Sequence, residues 1–304
     1  MQVDPSYVTN LVSALDQAQS NSQQFSSELS SGVRVTSLSS DPLAAGENVL
    51  LLNQMQQDDS FTQSSSLVTG QLQVADSALG QVVDQLTQAV SLATSANNGT
   101  MNASDRQSIA NQLAGVRAEV MALANSSYQG QYIFAGGQTS AAPFSLSTAT
   151  SPATVTYNGD EDVNYLEAPN GQRIQLNVPG DQIFSGTGAN NVFAALNSLI
   201  ADYSNANINT AQAVADTTAL GSALNYVSQQ RVTIDNSMTQ LTGATTAISS
   251  EETQLTAAQT NLMQADVAQV STQLSLSQTQ QAALEDVIAQ EGSGTLFDKL
   301  PIGG

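Results

Sequence analysis

The residues best suited to chemistry in this sequence are its acidic runs, and their spacing argues against chemistry. Asp160-Glu161-Asp162 is the densest of them. Adjacent carboxylates attract calcium, but an EF-hand loop needs alternating ligands and a distant bidentate glutamate, so the run reads as a solvated turn. Asp58-Asp59 and Glu251-Glu252 are neighbours on helical segments. Side chains one residue apart diverge by about 100° on a helix and cannot work together as an acid–base pair. Gly136-Gly137 lacks the spacing of a phosphate-binding loop and follows aromatic residues, which makes it a turn. Asn98-Gly99-Thr100 and Asn102-Ala103-Ser104 match the glycosylation sequon, a pattern that turn and cap composition produces by chance. The chain has no His and no Cys. That removes the usual zinc, iron–sulfur, haem and thiol sites, and the Ser-His-Asp and Cys-His nucleophile systems. The expectation is a protein with no cofactor, no metal and no enzymatic activity.

The bulk composition narrows the partners. Of the 304 residues only 11% are charged, where a globular domain has roughly a quarter. The net charge is −20, from 26 acidic and 6 basic residues. Arg34, Arg106, Arg117, Arg173, Arg231 and Lys299 stand singly, so no basic stripe can neutralise a phosphate backbone or an anionic membrane. No nucleic acid and no membrane partner is expected. The first thirty residues lack a basic segment followed by an apolar run, so any export is expected to proceed without a cleaved signal peptide.

The elements that carry these residues are mostly helices. Over residues 6–29, Val8, Leu15 and Leu29 alternate with Leu11, Ala18 and Phe25 in a heptad seam interrupted at Ser22, which needs a partner helix. Asp41-Pro42 starts the next helix, since Asp accepts from first-turn N–H groups and Pro fixes φ where no donor is required. Leu72, Ala75, Leu79, Val82, Leu86, Ala89 and Ala93 form its regular stripe, and Asn97-Asn98-Gly99 ends it. Asn102 caps a third helix with Ile109, Leu113, Val116, Val120 and Leu123 inside. From Gly130 the pattern changes to short Tyr/Ile/Val/Thr segments, with Asn158-Gly159 and Asn170-Gly171 as hairpin signals. Leu220, Val227, Ile234, Leu241, Ile248, Leu255 and Leu262 then recur at heptad spacing, after which the phase shifts to Val267, Val270 and Leu274. Read as one helix over 212–290, this would be on the order of 110 Å long, which implies an elongated molecule. With so few charges, the terminal helices are expected to need each other or neighbouring subunits for cover.

The segment Leu29-Ser30-Ser31-Gly32-Val33-Arg34, followed by a polar loop and Asp41-Pro42-Leu43-Ala44-Ala45-Gly46, resembles the N-terminal signature of the bacterial flagellin superfamily. Gly130-Gln131-Tyr132-Ile133-Phe134-Ala135-Gly136, the Tyr157–Asp160 hairpin, the 177–184 stretch and the ending Leu296-Phe297-Asp298-Lys299-Leu300 resemble its junction-protein branch. The resemblance implies a hairpin-shaped axial subunit, exported unfolded with a dedicated chaperone, which links the hook, via the first hook-associated protein, to the flagellin filament. It further implies self-association in a layer and a place on the extracellular flagellum.

The expectation is therefore a mainly α protein, a long antiparallel helical bundle with a small β-rich insertion. The expected domains are a discontinuous terminal coiled-coil core (1–40 with 268–304), a discontinuous helical rod (41–138 with 186–267) and the insertion (139–185). The candidate subunit-assembly interface comprises Val8, Leu11, Leu15, Phe25, Leu29, Arg34, Asp41, Leu274, Leu284, Ile288, Leu296 and Phe297. Arg34 has three readings: a pair with Asp41, a pair with an adjacent subunit, or a solvated loop residue. The rival functions are a flagellin filament subunit and an exported effector or adhesin.

Overall fold

The computed structural model describes residues 5–35, 41–97, 101–149, 153–186 and 188–293. The chain is mainly helical with a small β region. Helix α1 spans Pro5–Ser31, α2 Pro42–Ala96 and α3 Ala103–Ala124. Strands β1 (Ser127–Tyr128), β2 (Gln131–Tyr132), β3 (Phe144–Ser147), β4 (Thr154–Tyr157), β5 (Tyr165–Glu167) and β6 (Arg173–Gln175) follow. The chain closes with α4 (Gly180–Phe184), α5 (Val192–Ser204), α6 (Thr210–Met263) and α7 (Val267–Ser293). It forms two compact units: Met1–Gln56 with Glu251–Gly304, and Gln57–Ser250.

The larger unit is a helical core. Leu79, Val82, Leu86, Ala89 and Ala93 of α2, Leu113 and Val120 of α3, Leu196 and Leu199 of α5, and Leu220, Val227 and Leu241 of α6 are all sealed from solvent. This is the apolar periodicity of the sequence translated into one stripe per helix. Polar ties fix the antiparallel register of α2 and α6 in this unit. Ser65 meets Thr245 at 3.2 Å, Arg231 forks onto Asp76 with Nη2–Oδ2 at 3.1 Å, and Asn97 Nδ2 donates to Thr217 Oγ1 at 3.0 Å. Arg117 lies in this core with 8% of its surface exposed and faces no carboxylate. Its Nη1 donates to Ala153 O at 2.8 Å and Asn197 Oδ1 at 2.6 Å, which binds the start of β4 to α5.

The β region is three separate antiparallel ribbons, β1–β2, β3–β4 and β5–β6. It anchors through aromatic rings: Phe144 meets Phe184 edge-on at 5.4 Å and lies 5.3 Å from Phe193 of α5 and 5.1 Å from Tyr157. Asn170-Gly171 does turn β5 into β6, with Tyr165 opposite Gln175. The Asn158-Gly159 expectation is corrected: β4 pairs back with β3, Phe144 opposite Tyr157, and no strand pairs across Asn158-Gly159. Instead the Tyr157 hydroxyl donates to Asp160 O at 2.7 Å and Phe134 O at 3.1 Å, folding the Asn-Gly turn onto the core. Burial, then the nearby Asp181 carboxylate, push that hydroxyl's pKa well above the ordinary tyrosine value.

The single helix expected over 212–290 is also corrected. It breaks after Met263, and Asp266 restarts it: Asp266 Oδ1 accepts from Ala268 N at 3.0 Å and Gln269 N at 3.1 Å, an N-cap.

Candidate assembly surface

In the unit built from both ends of the chain, α1 packs along α7. Ser277 Oγ donates to Ala18 O at 2.9 Å, and Val33 bridges Gln264. From the second contact to the first, the chain runs back along α1 and forward along α7, so the two helices are antiparallel. Leu11, Leu15, Phe25, Leu274, Leu284 and Ile288 are half-buried on this pair. Val8 and Leu29 are not covered, at 39% and 36% exposed. Glu28, at 5%, occupies the buried position that the heptad assigned to Leu29. The buried face of α1 has therefore moved back by one residue between Ala18, at 3%, and Glu28. The buried carboxylate accepts from Gln24 Nε2 at 2.8 Å. Leu296 and Phe297 lie outside the described residues.

Where α1 gives way to α2, and α6 to α7, the two connections are stitched together. Gly32 ends α1 with φ +69°, a left-handed value that suits a residue without Cβ, and its N–H closes onto Glu28 O at 2.8 Å. Arg34 N donates to Met263 O at 2.7 Å, and Ala265 N donates to Gly32 O at 2.9 Å. The Arg34 guanidinium then spans the joint, Nη1 to Asp41 Oδ2 at 2.8 Å and Nη2 to Leu262 O at 3.1 Å. Of the three readings of Arg34, the structure forms the pair with Asp41. Asp41 also caps α2, accepting from Ala44 N at 3.0 Å. That amide, and after it the Arg34 guanidinium, hold the Asp41 carboxyl below the ordinary carboxylate range. Beside the stitch, Gly32, Val33, Asn48, Gln259, Thr260, Met263 and Gln264 line an open groove of about 400 Å³.

This unit leaves large apolar side chains uncovered. Leu43 and Leu50, two helical turns apart on α2, are 74% and 69% exposed, and Leu276 of α7 is 68% exposed. Val49 and Leu52 lie on the same stretch of α2, also exposed. Leu43 and Leu50 were not among the candidates, although the segment around them carries one charge, Glu47, and is otherwise apolar or small from Pro42 to Leu52 except for Asn48. An outward run of that kind is a mark of an interaction surface. Such a surface does packing and no covalent chemistry.

The acidic run is absorbed locally. Asp160 Oδ1 accepts from Gly137 N at 2.6 Å and Asp162 N at 3.1 Å, and no side chain at Gly136 would fit against Asp160. Among the described residues no three acidic side chains converge on a metal position, and no helix is long and apolar enough to cross a membrane.

Residues 7–139 match the bacterial flagellin N-terminal helical region. The chain is 32% identical over 182 residues to flagellar hook-associated protein 3 of Salmonella typhimurium, across 60% of this chain. That alignment spans 56% of the length of the Salmonella protein. It is 29% identical over 245 residues to flagellar hook-associated protein 3 of Escherichia coli, covering 74% of this chain and 75% of that one. The fold matches a flagellar hook-associated protein of Vibrio parahaemolyticus with a TM-score of 0.66 at 20% identity, over 74% of this chain and all of that one.

Proposed function

We propose that this chain, a relative of flagellar hook-associated protein 3 that carries a flagellin N-terminal helical region, is a structural subunit at the junction of hook and filament. The observation that supports this reading most directly is the pairing of the chain's two ends with apolar residues left outside. Leu15 and Leu284 are half-buried on the α1–α7 pair, while Leu43, Leu50 and Leu276 are left exposed. A subunit that works alone exposes such residues at a cost in solubility; a subunit of a layer buries them against the next copy.

The function is geometric and not enzymatic. The partners are the first hook-associated protein on one side, flagellin on the other, further copies within the layer, and an export chaperone before assembly. The site of action is the extracellular flagellum. The working division is a terminal core (1–40 with 268–304), a rod (41–138 with 186–267) and a projecting insertion (139–185).

Immunogold electron microscopy of isolated flagella, with antibody against the insertion, tests the reading. A single band where hook meets filament is expected. Label along the filament would make the chain a flagellin, and absence from the flagellum would return the exported-effector reading.

A further inference from the structure

The chain contains two described Asn-Gly sequences, and the fold treats them differently. Asn-Gly is the pair most open to intramolecular attack, because the following residue has no side chain to shield its backbone nitrogen. At Asn158, Nδ2 donates to Ser145 Oγ at 2.9 Å and the backbone N–H donates to Pro143 O at 2.7 Å. Gly159 is wedged: a Cβ there would lie 2.5 Å from the Tyr157 hydroxyl and 2.8 Å from Ala135 O. Opening this turn means releasing the Tyr157 hydroxyl from both carbonyls it holds.

Asn170 sits at the exposed tip of the β5–β6 ribbon. Nothing lies within 4 Å of a Cβ built at Gly171, whose φ is +81°. Three local bonds hold the tip, Gly171 N to Ala168 O at 2.8 Å, Ala168 N to Gln172 O at 2.8 Å and Gln172 N to Asn170 Oδ1 at 3.0 Å. The ribbon beyond is three residue pairs long and joins no other strand. Ala168 and Ile174 anchor the ribbon to the core, but residues 169–172 at its tip are all exposed, so the tip opens with no buried side chain to release.

We infer that Asn170 is a site of spontaneous covalent modification, converting to aspartate and isoaspartate in the folded protein, and that Asn158 is protected. In the open tip the Gly171 backbone nitrogen loses its proton to solvent base and attacks Asn170 Cγ. A C–N bond forms, the side-chain amide nitrogen leaves as ammonia, and the product is a five-membered succinimide. Water then adds to either carbonyl. Opening on one side gives aspartate at position 170; opening on the other routes the backbone through the side chain as isoaspartate. The net change is amide plus water to carboxylic acid plus ammonia, with no oxidant or reductant. Each event adds one negative charge three residues before Arg173, whose guanidinium lies 4.4 Å over the Tyr165 ring.

Intact protein is held at mildly alkaline pH and sampled over days. Proteolytic peptides are scored for the deamidation mass gain, and isoaspartate by enzymatic methyl transfer. The same chain in denaturant serves as the internal clock. In the folded protein Asn170 is expected to convert at least about tenfold faster than Asn158, because its turn opens without loss of packing. In denaturant the two rates approach each other. Equal rates in the folded protein, or an Asn170 that stays unmodified while the denatured chain converts, would overturn the inference.

Discussion

At the scale of single residues, the groups that the sequence marks as chemically suggestive serve as fasteners. Asp41 was legible as a cap because Asp-Pro before an apolar run has one physical meaning, and its carboxylate meets the Ala44 amide. Asp266 was missed, although an aspartate just before a phase change carries the same signal. Glu28 had no signal, because heptad counting places Leu29 in the seam and a charged residue is not counted as a seam candidate. A different carboxylate gives a pH prediction. Burial, then the neighbouring Asp216 carboxylate, raise the Asp202 pKa to about 6 from an ordinary 3.8. A raised acid binds its proton more tightly when folded, so its contribution is greatest on the acid side and is lost as pH rises from about 4 through about 6. Full linkage would amount to about 3 kcal/mol, and partial exposure screens it to about 1 kcal/mol. Asp202→Asn is therefore expected to raise the melting temperature by about 2–4 °C at about pH 7.5 and to leave it unchanged at about pH 4. Calorimetry at the two pH values checks it; an equal gain at both would assign the effect to packing.

At the scale of elements, the helices of the larger unit were legible because each buries one periodic stripe, from Leu72 to Ala93 and from Leu220 to Ile248. The β ribbons were legible as a region but not in their pairing. Asn-Gly chemistry marks a turn, and only long-range contacts such as Phe144 opposite Tyr157 decide which strands meet across it. The break between α6 and α7 shows the same limit: heptads continue through Leu262, and the stop is set by the backbone bonds of Gly32 and Arg34 to Ala265 and Met263. Asp266→Ala removes the N-cap and is expected to cost about 1 kcal/mol, concentrated at the start of α7. Amide exchange at Ala268 and Gln269 should accelerate about fivefold, with the larger unit unaffected. Uniform acceleration across both units would show that the cap acts globally.

At the scale of the whole molecule, charge and exposed apolar surface oppose each other. All five described arginines are engaged within the chain: Arg34 and Arg231 by carboxylates, Arg106 and Arg117 by carbonyl oxygens, and Arg173 by a tyrosine ring. Copies with a net charge of −20 therefore meet without a described cation to spare. Association between copies is expected to strengthen as salt rises from about 10 mM to about 150 mM, where the screening length falls from about 30 to about 8 Å. Light scattering across that range reads it, and weaker association in salt would reveal ion pairs between copies. Leu43→Asp with Leu50→Asp is expected to leave monomer melting within about 0.5 kcal/mol of the parent, since both side chains are exposed. The same double change is expected to abolish attachment of the filament in cells. Normal attachment would move the packing surface elsewhere. The candidate surface was thus half legible: periodicity marks residues that need a partner, and only the fold tells which already have one inside the chain.

The stitch between the two helix breaks has a mechanical consequence. The outgoing strand of the chain interrupts its helix at Gly32 and the returning strand at Gln264, and hydrogen bonds tie the interruptions side by side. Neither can flex alone without tearing two backbone bonds and the Arg34 fork from Leu262. Pulled or twisted from outside, the two strands must yield together at one level, as a single pivot with two leaves.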